Sequence, residues 1–209
     1  MFKDRIEAGQ KLGHELAKVL DPIEKGIVLG LPRGGVVTAF EVAKILDLPM
    51  DIIVTRKIGS ALNSEYAIGA VSQNTLVLNE NEPIDNHYLK EQVLKERQEI
   101  SRRLNKYRGE RRPLDLKDKT VILVDDGLAT GFTMQAAVKE VRIQRPYRII
   151  VAIPIAPADI VHNLNNLVDE MIILKKEPLF FAVGQFYETF EQVNNDEVVE
   201  LLKKSWQSR

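Results

Sequence analysis

The chain contains no cysteine and carries almost no net charge, and both properties exclude whole classes of protein. Without cysteine it has no disulfide bonds and no thiolate metal sites, which fits a reducing compartment. Its 29 basic and 30 acidic residues give a net charge of −1, so there is no general electrostatic attraction to nucleic acid. A signal-peptide core and a membrane-spanning apolar run are also missing, since Met1 leads into the charged segment FKDRIEAG. We therefore expect a cytoplasmic protein without a membrane or nucleic-acid partner.

Short apolar segments that favour strands alternate along the 209 residues with segments of helical periodicity. Such alternation predicts an α/β fold, in which helices flank a mainly parallel sheet and right-handed crossovers join the strands. The length suits one sizeable domain. The predicted strands of the sheet are Ile27–Leu29, Met50–Thr55, Val121–Val124, Arg148–Ile153 and Val168–Leu174, and we expect Pro154 and Pro157 to end the fourth.

The most informative segment is TVILVDDGLATGFTM, residues 120–134. It begins with a strand apolar enough for the middle of a parallel sheet. Asp125 and Asp126 follow at the carboxyl end of that strand, where open α/β sheets bind ligands. A turn rich in glycine and threonine then leads into a predicted helix, and free N–H groups at a helix start favour phosphate. Ionised carboxylates accept hydrogen bonds from hydroxyls, so the segment predicts a site for a sugar phosphate.

Two further groups of residues are suited to anions. The loop Gly30–Gly35 lies between a strand and a helix and offers backbone N–H groups together with the planar guanidinium of Arg33. Arg56 and Lys57 follow the second predicted strand, where cations can neutralise a departing anion. An ordinary turn with a surface arginine and a solvated pair of cations are the alternatives.

The stretch VDDGLATGFT resembles the phosphoribosyl-pyrophosphate (PRPP) motif of type I phosphoribosyltransferases. The order of GLPRGG, RKIG, EYAIGAV, AIPIAP and FFAVGQFYETF resembles a bacterial group of predicted phosphoribosyltransferases whose acceptor is unassigned. By this resemblance the two aspartates hold the ribose hydroxyls, the following turn holds the 5′-phosphate, and the first loop and its neighbouring cations hold pyrophosphate. The implied PRPP-binding residues are Asp125, Asp126, Gly127, Ala129, Thr130, Gly131 and Thr133, and the implied pyrophosphate-binding residues are Arg33, Gly34, Gly35, Arg56 and Lys57.

The resemblance also implies an activity and an architecture. The activity is transfer of 5-phosphoribose from PRPP to a nitrogenous acceptor such as a nucleobase, with release of pyrophosphate. Mg²⁺ is the implied cofactor, held chiefly by PRPP oxygens and water rather than directly by protein ligands. The implied architecture is a single domain over residues 1–209 with the type I phosphoribosyltransferase fold, and a homodimer is expected. Residues 60–112 would form a hairpin and helical excursion, and residues 175–209 a small hood with a C-terminal helix.

The hood of such enzymes holds the acceptor, and aromatic side chains are concentrated in this part of the chain. Phe181, Phe186 and Tyr187 are therefore candidates for contact with a heterocyclic base. A small satellite core is an equally good interpretation of the same aromatics. Ala129 stands where the 6-oxopurine salvage enzymes carry an aspartate, which disfavours hypoxanthine and guanine and leaves the acceptor open. The resemblance assigns no residue as general acid or base.

Two other functions fit parts of the sequence. A regulator that senses PRPP or a nucleotide without turnover would use the basic stretch in residues 97–112 as a nucleic-acid face in a dimer, although a solvated helix explains that stretch as well. A phosphatase or other hydrolase would need Asp125 as its nucleophile, and no motif supports that role. The basic residues of the stretch are Arg97, Arg102, Arg103, Lys106, Arg108, Arg111 and Arg112.

Overall fold

A computed structural model describes residues 1–20, 25–158 and 160–207 of the chain. In chain order the strands are β1 (Gly26–Gly30), β2 (Met50–Ile52), β3 (Arg56–Gly59), β4 (Ala67–Val71), β5 (Leu76–Leu78), β6 (Thr120–Val124), β7 (Arg148–Pro157) and β8 (Glu170–Glu177). Five of them form a parallel sheet in the order β2-β1-β6-β7-β8. The remaining three form a small antiparallel sheet in the order β3-β4-β5. The predicted α/β class with a mainly parallel sheet is confirmed.

Helices cover both faces of the parallel sheet. They are α1 (Arg5–Val19), α2 (Gly34–Leu46), α3 (Asn86–Arg108), α4 (Phe132–Ile143), α5 (Ile160–Asn165) and α6 (Asn195–Gln207). One apolar core joins α1, α2, α3 and α6 to the sheet face that carries Ile122. A second core joins α4 and α5 to the opposite face, which carries Val121. None of the helices within the described ranges has the length and apolar character needed to cross a membrane.

Strand β6 is the centre of this arrangement, because all five of its residues are buried. Its alternate side chains enter the two cores, which is why the strand is continuously apolar rather than alternating. In the sheet register Gly30 of β1 and Ala152 of β7 lie on either side of Val124. The residues after these three positions therefore share one rim of the sheet, and the acid pair begins there.

Two of the predicted strands, the second and the fourth, differ markedly in length from the observed ones. Strand β2 ends at Ile52 instead of Thr55, and the chain then turns into β3. The prediction that Pro154 ends the fourth strand is wrong, since β7 continues through Pro154 and ends only at Pro157. Beyond Ala152, β7 pairs only with β8. Ile153 and Ile155, on either side of Pro154, have partners on β8, whereas Pro154 has no partner there. A strand with one unpaired side can contain proline without losing a hydrogen bond that the sheet requires.

The antiparallel sheet and α3 pack beside this rim. The Nε of Arg56 lies 2.7 Å from a carboxylate oxygen of Glu96 on α3, and the Tyr88 hydroxyl donates to the Gly59 carbonyl at 2.8 Å. Asp85 caps the start of α3 by accepting a hydrogen bond from the Tyr88 backbone N–H. Strands β4 and β5 form an antiparallel hairpin within residues 60–112.

Candidate functional site

The acid pair lies directly against the first loop of the sheet rim. Asp125 accepts a hydrogen bond from the backbone N–H of Asp126 at 2.8 Å. A Cβ atom on Gly35 would lie only 2.5 Å from Asp125 Oδ1, and one on Gly34 would collide with Asp126 Oδ2. Any side chain larger than hydrogen at these two positions would displace the carboxylates. The two glycines therefore allow the close approach of the loop to the acids.

The electrostatic environment opposes ionisation of the first acid. Burial raises the pKa of Asp125 well above its usual range, and the negative charge of Asp126 raises it further. The Asp126 backbone N–H and the positive charge of Arg5 act in the opposite direction. A cation, or hydroxyl donors that bind the ionised carboxylate, would therefore relieve an unfavourable charge at this rim.

Two residues bind Asp126 in a way that the sequence did not predict: Arg5 was not a candidate, and Tyr187 was a candidate only for contact with the acceptor. The Nε of Arg5, at the start of α1, lies 2.6 Å from Asp126 Oδ2, and both side chains are largely buried. The Tyr187 hydroxyl donates to the Asp126 carbonyl at 2.6 Å. Burial, together with the charge of Asp126, raises the pKa of Tyr187 above its ordinary value, so the hydroxyl keeps its proton. These partners lie 121 and 61 residues from Asp126 in the chain, and nothing in the local sequence signals them.

The turn after the acids is open to an anion. Leu128 fixes it to the sheet by donating its backbone N–H to the Ile155 carbonyl at 3.0 Å. Ala129 and Thr130 are exposed, and Gly131 takes a left-handed conformation with φ 76° at the start of α4. Within the described part of the chain, the backbone N–H groups of residues 129–133 have no acceptor. Free donors at a helix start form the kind of site that binds phosphate.

The predicted pyrophosphate residues fall into two groups. Arg33 precedes α2, the Pro32–Arg33 peptide bond is cis, and the guanidinium has no carboxylate partner within the described ranges. Arg56 and Lys57 lie at the start of β3, and both are paired. Arg56 binds Glu96 at 2.7 Å, and Lys57 binds the exposed carboxylate of Glu65 at 3.0 Å. The structure thus places Gly34 and Gly35 against the acids, whereas Arg56 and Lys57 contact other carboxylates.

The three candidate hood aromatics have different surroundings. Phe186 and Tyr187 are buried in a small core with Phe2 and Ile155. Phe181 is 88% exposed and lines an open cleft of about 620 Å³. The cleft adjoins the phosphate-type turn, because its other walls are Ala129, Thr130, Pro157, Ala158, Ile160, Pro178 and Phe180. The satellite core therefore accounts for Phe186 and Tyr187, and Phe181 keeps an aromatic face free beside the turn.

Most side chains of the basic stretch in residues 97–112 contact other groups within the chain. Its contacts are Arg97 with the Ser72 carbonyl, Arg102 and Arg103 with Glu99, Lys106 with Asp196, Arg108 with Asp51, and Arg111 with the Trp206 ring. The pair of Arg108 and Asp51 is mostly buried, with side chains 16% and 4% exposed. Arg102 and Arg103 pair within α3, and the other contacts join this stretch to neighbouring segments, so the geometry gives no support to a nucleic-acid face.

Comparisons with known proteins add family information to this geometry. The family model of the phosphoribosyl transferase domain matches residues 4–176. Provisionally named phosphoribosyl transferases from two strains of Mycobacterium tuberculosis are 37% identical over 210 residues, which cover 98% of this chain and 47% of theirs. The chain thus spans about half the length of these curated relatives.

Two solved structures have a fold similar to that of this chain. The crystal structure of TT1426 from Thermus thermophilus is 38% identical, with a TM-score of 0.83 and coverage of 98% of both chains. The AQ2163 protein from Aquifex aeolicus shares the fold at 14% identity, with a TM-score of 0.51 over 83% of this chain and 73% of its own. The family match covers most of the chain, including both glycine-containing loops and the acid pair, and the chain belongs to the phosphoribosyl transferase domain family.

Proposed function

We propose that the chain transfers 5-phosphoribose from PRPP to a nitrogenous acceptor and releases pyrophosphate. One observation carries this proposal: the two acids at the end of β6 lie between a loop with two close glycines and a turn whose N–H groups have no acceptor among the described residues. A sugar with a phosphate at one end and a diphosphate at the other matches that order of carboxylates and donors. Membership of the phosphoribosyl transferase domain family supports the same reaction class.

Each part of the site has a role in this proposal. Asp125 and Asp126 accept hydrogen bonds from the ribose hydroxyls, and the N–H groups of residues 129–133 hold the 5′-phosphate. Arg33 and the N–H groups of the first loop receive pyrophosphate. The acceptor nitrogen forms a bond to ribose C1 while the bond between C1 and the pyrophosphate oxygen breaks. The electron pair of the broken bond leaves with pyrophosphate. The proton of the acceptor nitrogen is released to solvent water. The protein contributes orientation and charge stabilisation.

Magnesium fits the chemistry of this rim. A desolvated carboxylate with a raised pKa, next to a second acid, favours the approach of a cation. Asp125 and Asp126 would act on the metal through PRPP and water, since Mg²⁺ keeps most of its ligands from those sources. When bound, the metal neutralises the diphosphate. Magnesium use and a homodimer stay predictions.

The open cleft beside the turn is the place we propose for the acceptor. Phe181 offers an exposed ring on which a planar heterocycle can stack. Ala129 provides no carboxylate at the point where the cleft meets the turn. A neutral heterocycle fits these walls better than a base that needs a charged partner.

The experiment that tests the proposal replaces both acids by amides. We expect Asp125→Asn with Asp126→Asn to weaken PRPP binding more than about tenfold, because hydrogen bonds to charged groups contribute up to about 3 kcal/mol and tenfold is about 1.4 kcal/mol. Calorimetry measures PRPP affinity in the presence of Mg²⁺, and pyrophosphate release over a panel of bases measures turnover.

A matched control removes two negative charges near the other end of the same strand. Asp115→Asn with Asp118→Asn alters exposed residues just before β6 and should leave PRPP affinity unchanged. Circular dichroism confirms that both double variants fold. Equal PRPP affinity in the acid-pair variant and the wild type would overturn the site assignment. Tight PRPP binding by the wild type without pyrophosphate release from any base would overturn the assignment as a transferase.

A further inference from the structure

Arg5 connects the acid pair to the C-terminal part of the chain. Its Nε lies 2.6 Å from Asp126 Oδ2, and its second guanidinium nitrogen donates to the Glu191 carbonyl at 2.7 Å. Its Cζ atom lies 3.7 Å from the centroid of the Phe190 ring. The side chain is only 11% exposed. Three different contacts on a largely buried guanidinium fix its orientation.

The backbone around Arg5 is fixed as well. Phe2 donates its N–H to the Phe186 carbonyl and accepts one from Glu188, both at 2.8 Å, and Thr189 donates to the Lys3 carbonyl at 2.9 Å. Tyr187 lies between these bonds and donates to the Asp126 carbonyl. We call residues 2–5 and 186–191 together the terminal clamp. It contacts the acid pair through Asp126 at both the side chain and the backbone.

Asp126 has one carboxylate oxygen on this clamp and one that the clamp does not bind. Oδ2 faces the Arg5 guanidinium, whereas no N–H group in the described part of the chain donates to Oδ1. An aspartate side chain can rotate about its terminal torsion over a broad range. A short charge-assisted bond to one oxygen removes that freedom and leaves the other oxygen in a defined place.

We propose that Arg5 is a positioning residue, which holds Asp126 Oδ2 so that Oδ1 is presented to a ribose hydroxyl of PRPP. This inference rests on the proposed function. Arg5 need not touch the substrate, and its effect passes through Asp126. The acid pair would then depend on a residue at the start of α1, far from the motif in sequence, for its orientation.

The test is a double-mutant cycle on PRPP affinity, measured by calorimetry with Mg²⁺. Arg5→Gln removes the charge, and we expect it to weaken PRPP binding about tenfold in the wild-type background. In the Asp126→Asn background the same change should cost less than about twofold, because Asp126 no longer needs its charged partner. Arg5→Lys keeps the charge and should recover more than half of the lost affinity on the logarithmic scale.

Lys18→Gln is the matched control, because it removes one exposed positive charge near the other end of α1. It should leave PRPP affinity unchanged. Thermal melting without ligand reports how far each variant weakens the fold. An equal loss of affinity for Arg5→Gln in both backgrounds would show a purely structural role and overturn the inference. Unchanged affinity in Arg5→Gln would also overturn it. Failure of the wild type to bind PRPP would instead overturn the proposed function.

Discussion

Tyr187→Phe removes one oxygen atom from the surroundings of Asp126 and leaves the aromatic packing intact. The Tyr187 hydroxyl donates to the Asp126 carbonyl at 2.6 Å, and the residue is 5% exposed. The ring packs against Phe2 and Phe190, with centroid distances of 5.5 and 5.0 Å, and phenylalanine can keep both contacts. The substitution therefore isolates the hydrogen bond to the backbone of the second acid.

We expect two effects of this change. The loss of a hydrogen bond that leaves a carbonyl unpaired costs about 1.5 kcal/mol of unfolding free energy. For a domain of this size that corresponds to a fall of about 3–6 °C in melting temperature. We also expect PRPP affinity to fall about fivefold, or about 1 kcal/mol, because the backbone of Asp126 is no longer held. Differential scanning fluorimetry measures the first effect and calorimetry with PRPP and Mg²⁺ the second.

Tyr107→Phe is the control for this prediction. Tyr107 is 2% exposed, and its hydroxyl donates to Asn195 Oδ1 at 2.6 Å, so the same atom is lost from an equally short and equally buried bond. This bond joins α3 to the start of α6, away from the acid pair. Both variants should lose similar stability, and only Tyr187→Phe should lose PRPP affinity. Equal PRPP affinities in the two variants would refute the argument that Tyr187 positions Asp126.

Two more predictions concern the first loop and α3. Gly35→Ala places a Cβ atom 2.5 Å from Asp125 Oδ1 and 2.8 Å from Asp125 Cα, and overpacking of this kind costs about 1–3 kcal/mol. Urea unfolding should show that loss of stability, and calorimetry should show weaker PRPP binding. Wild-type stability of the variant would contradict the close approach of the loop to the acid. The hydrogen bond from Arg102, with help from Arg103, lowers the pKa of Glu99 to about 2. Because the folded pKa lies below the unfolded one, the Glu99 carboxylate stabilises the protein above its ordinary pKa, and that contribution disappears as the pH falls towards about 2. Glu99→Gln should therefore cost about 1 kcal/mol in urea at about pH 7 and progressively less in acid, and a cost that does not change with pH would contradict the pairing.

The central motif could be predicted from sequence because its information is local. A run of buried β-formers followed at once by Asp125 and Asp126 fixes both the strand and the rim at which the acids emerge. The glycines of the two loops carry a similarly local signal, since the backbone must bend and approach other atoms there. These parts of the sheet and of the candidate site follow from short-range pattern alone.

The remaining parts depend on tertiary packing, which local pattern does not contain. Arg5 reaches Asp126 only because α1 and the C-terminal segment meet at the rim. In the sequence Pro154 predicts the end of a strand, because the sequence does not show that β7 has only one neighbouring strand at that point. Phe181 and Phe186 lie in an irregular segment without periodicity, so the sequence could not indicate which ring is buried and which is exposed.

The terminal clamp also determines how much of the chain the proposed ligand site requires. The segment that matches the family model, residues 4–176, contains both loops and both acids. It excludes Tyr187, Phe190 and the Glu191 carbonyl, which hold Asp126 directly or through Arg5. An excised fragment with those boundaries would keep every residue of the recognised motif and lose the groups that orient its second acid. We therefore expect the smallest working unit to extend past the end of the family match at residue 176, into the segment that the relatives covering 98% of the chain also share.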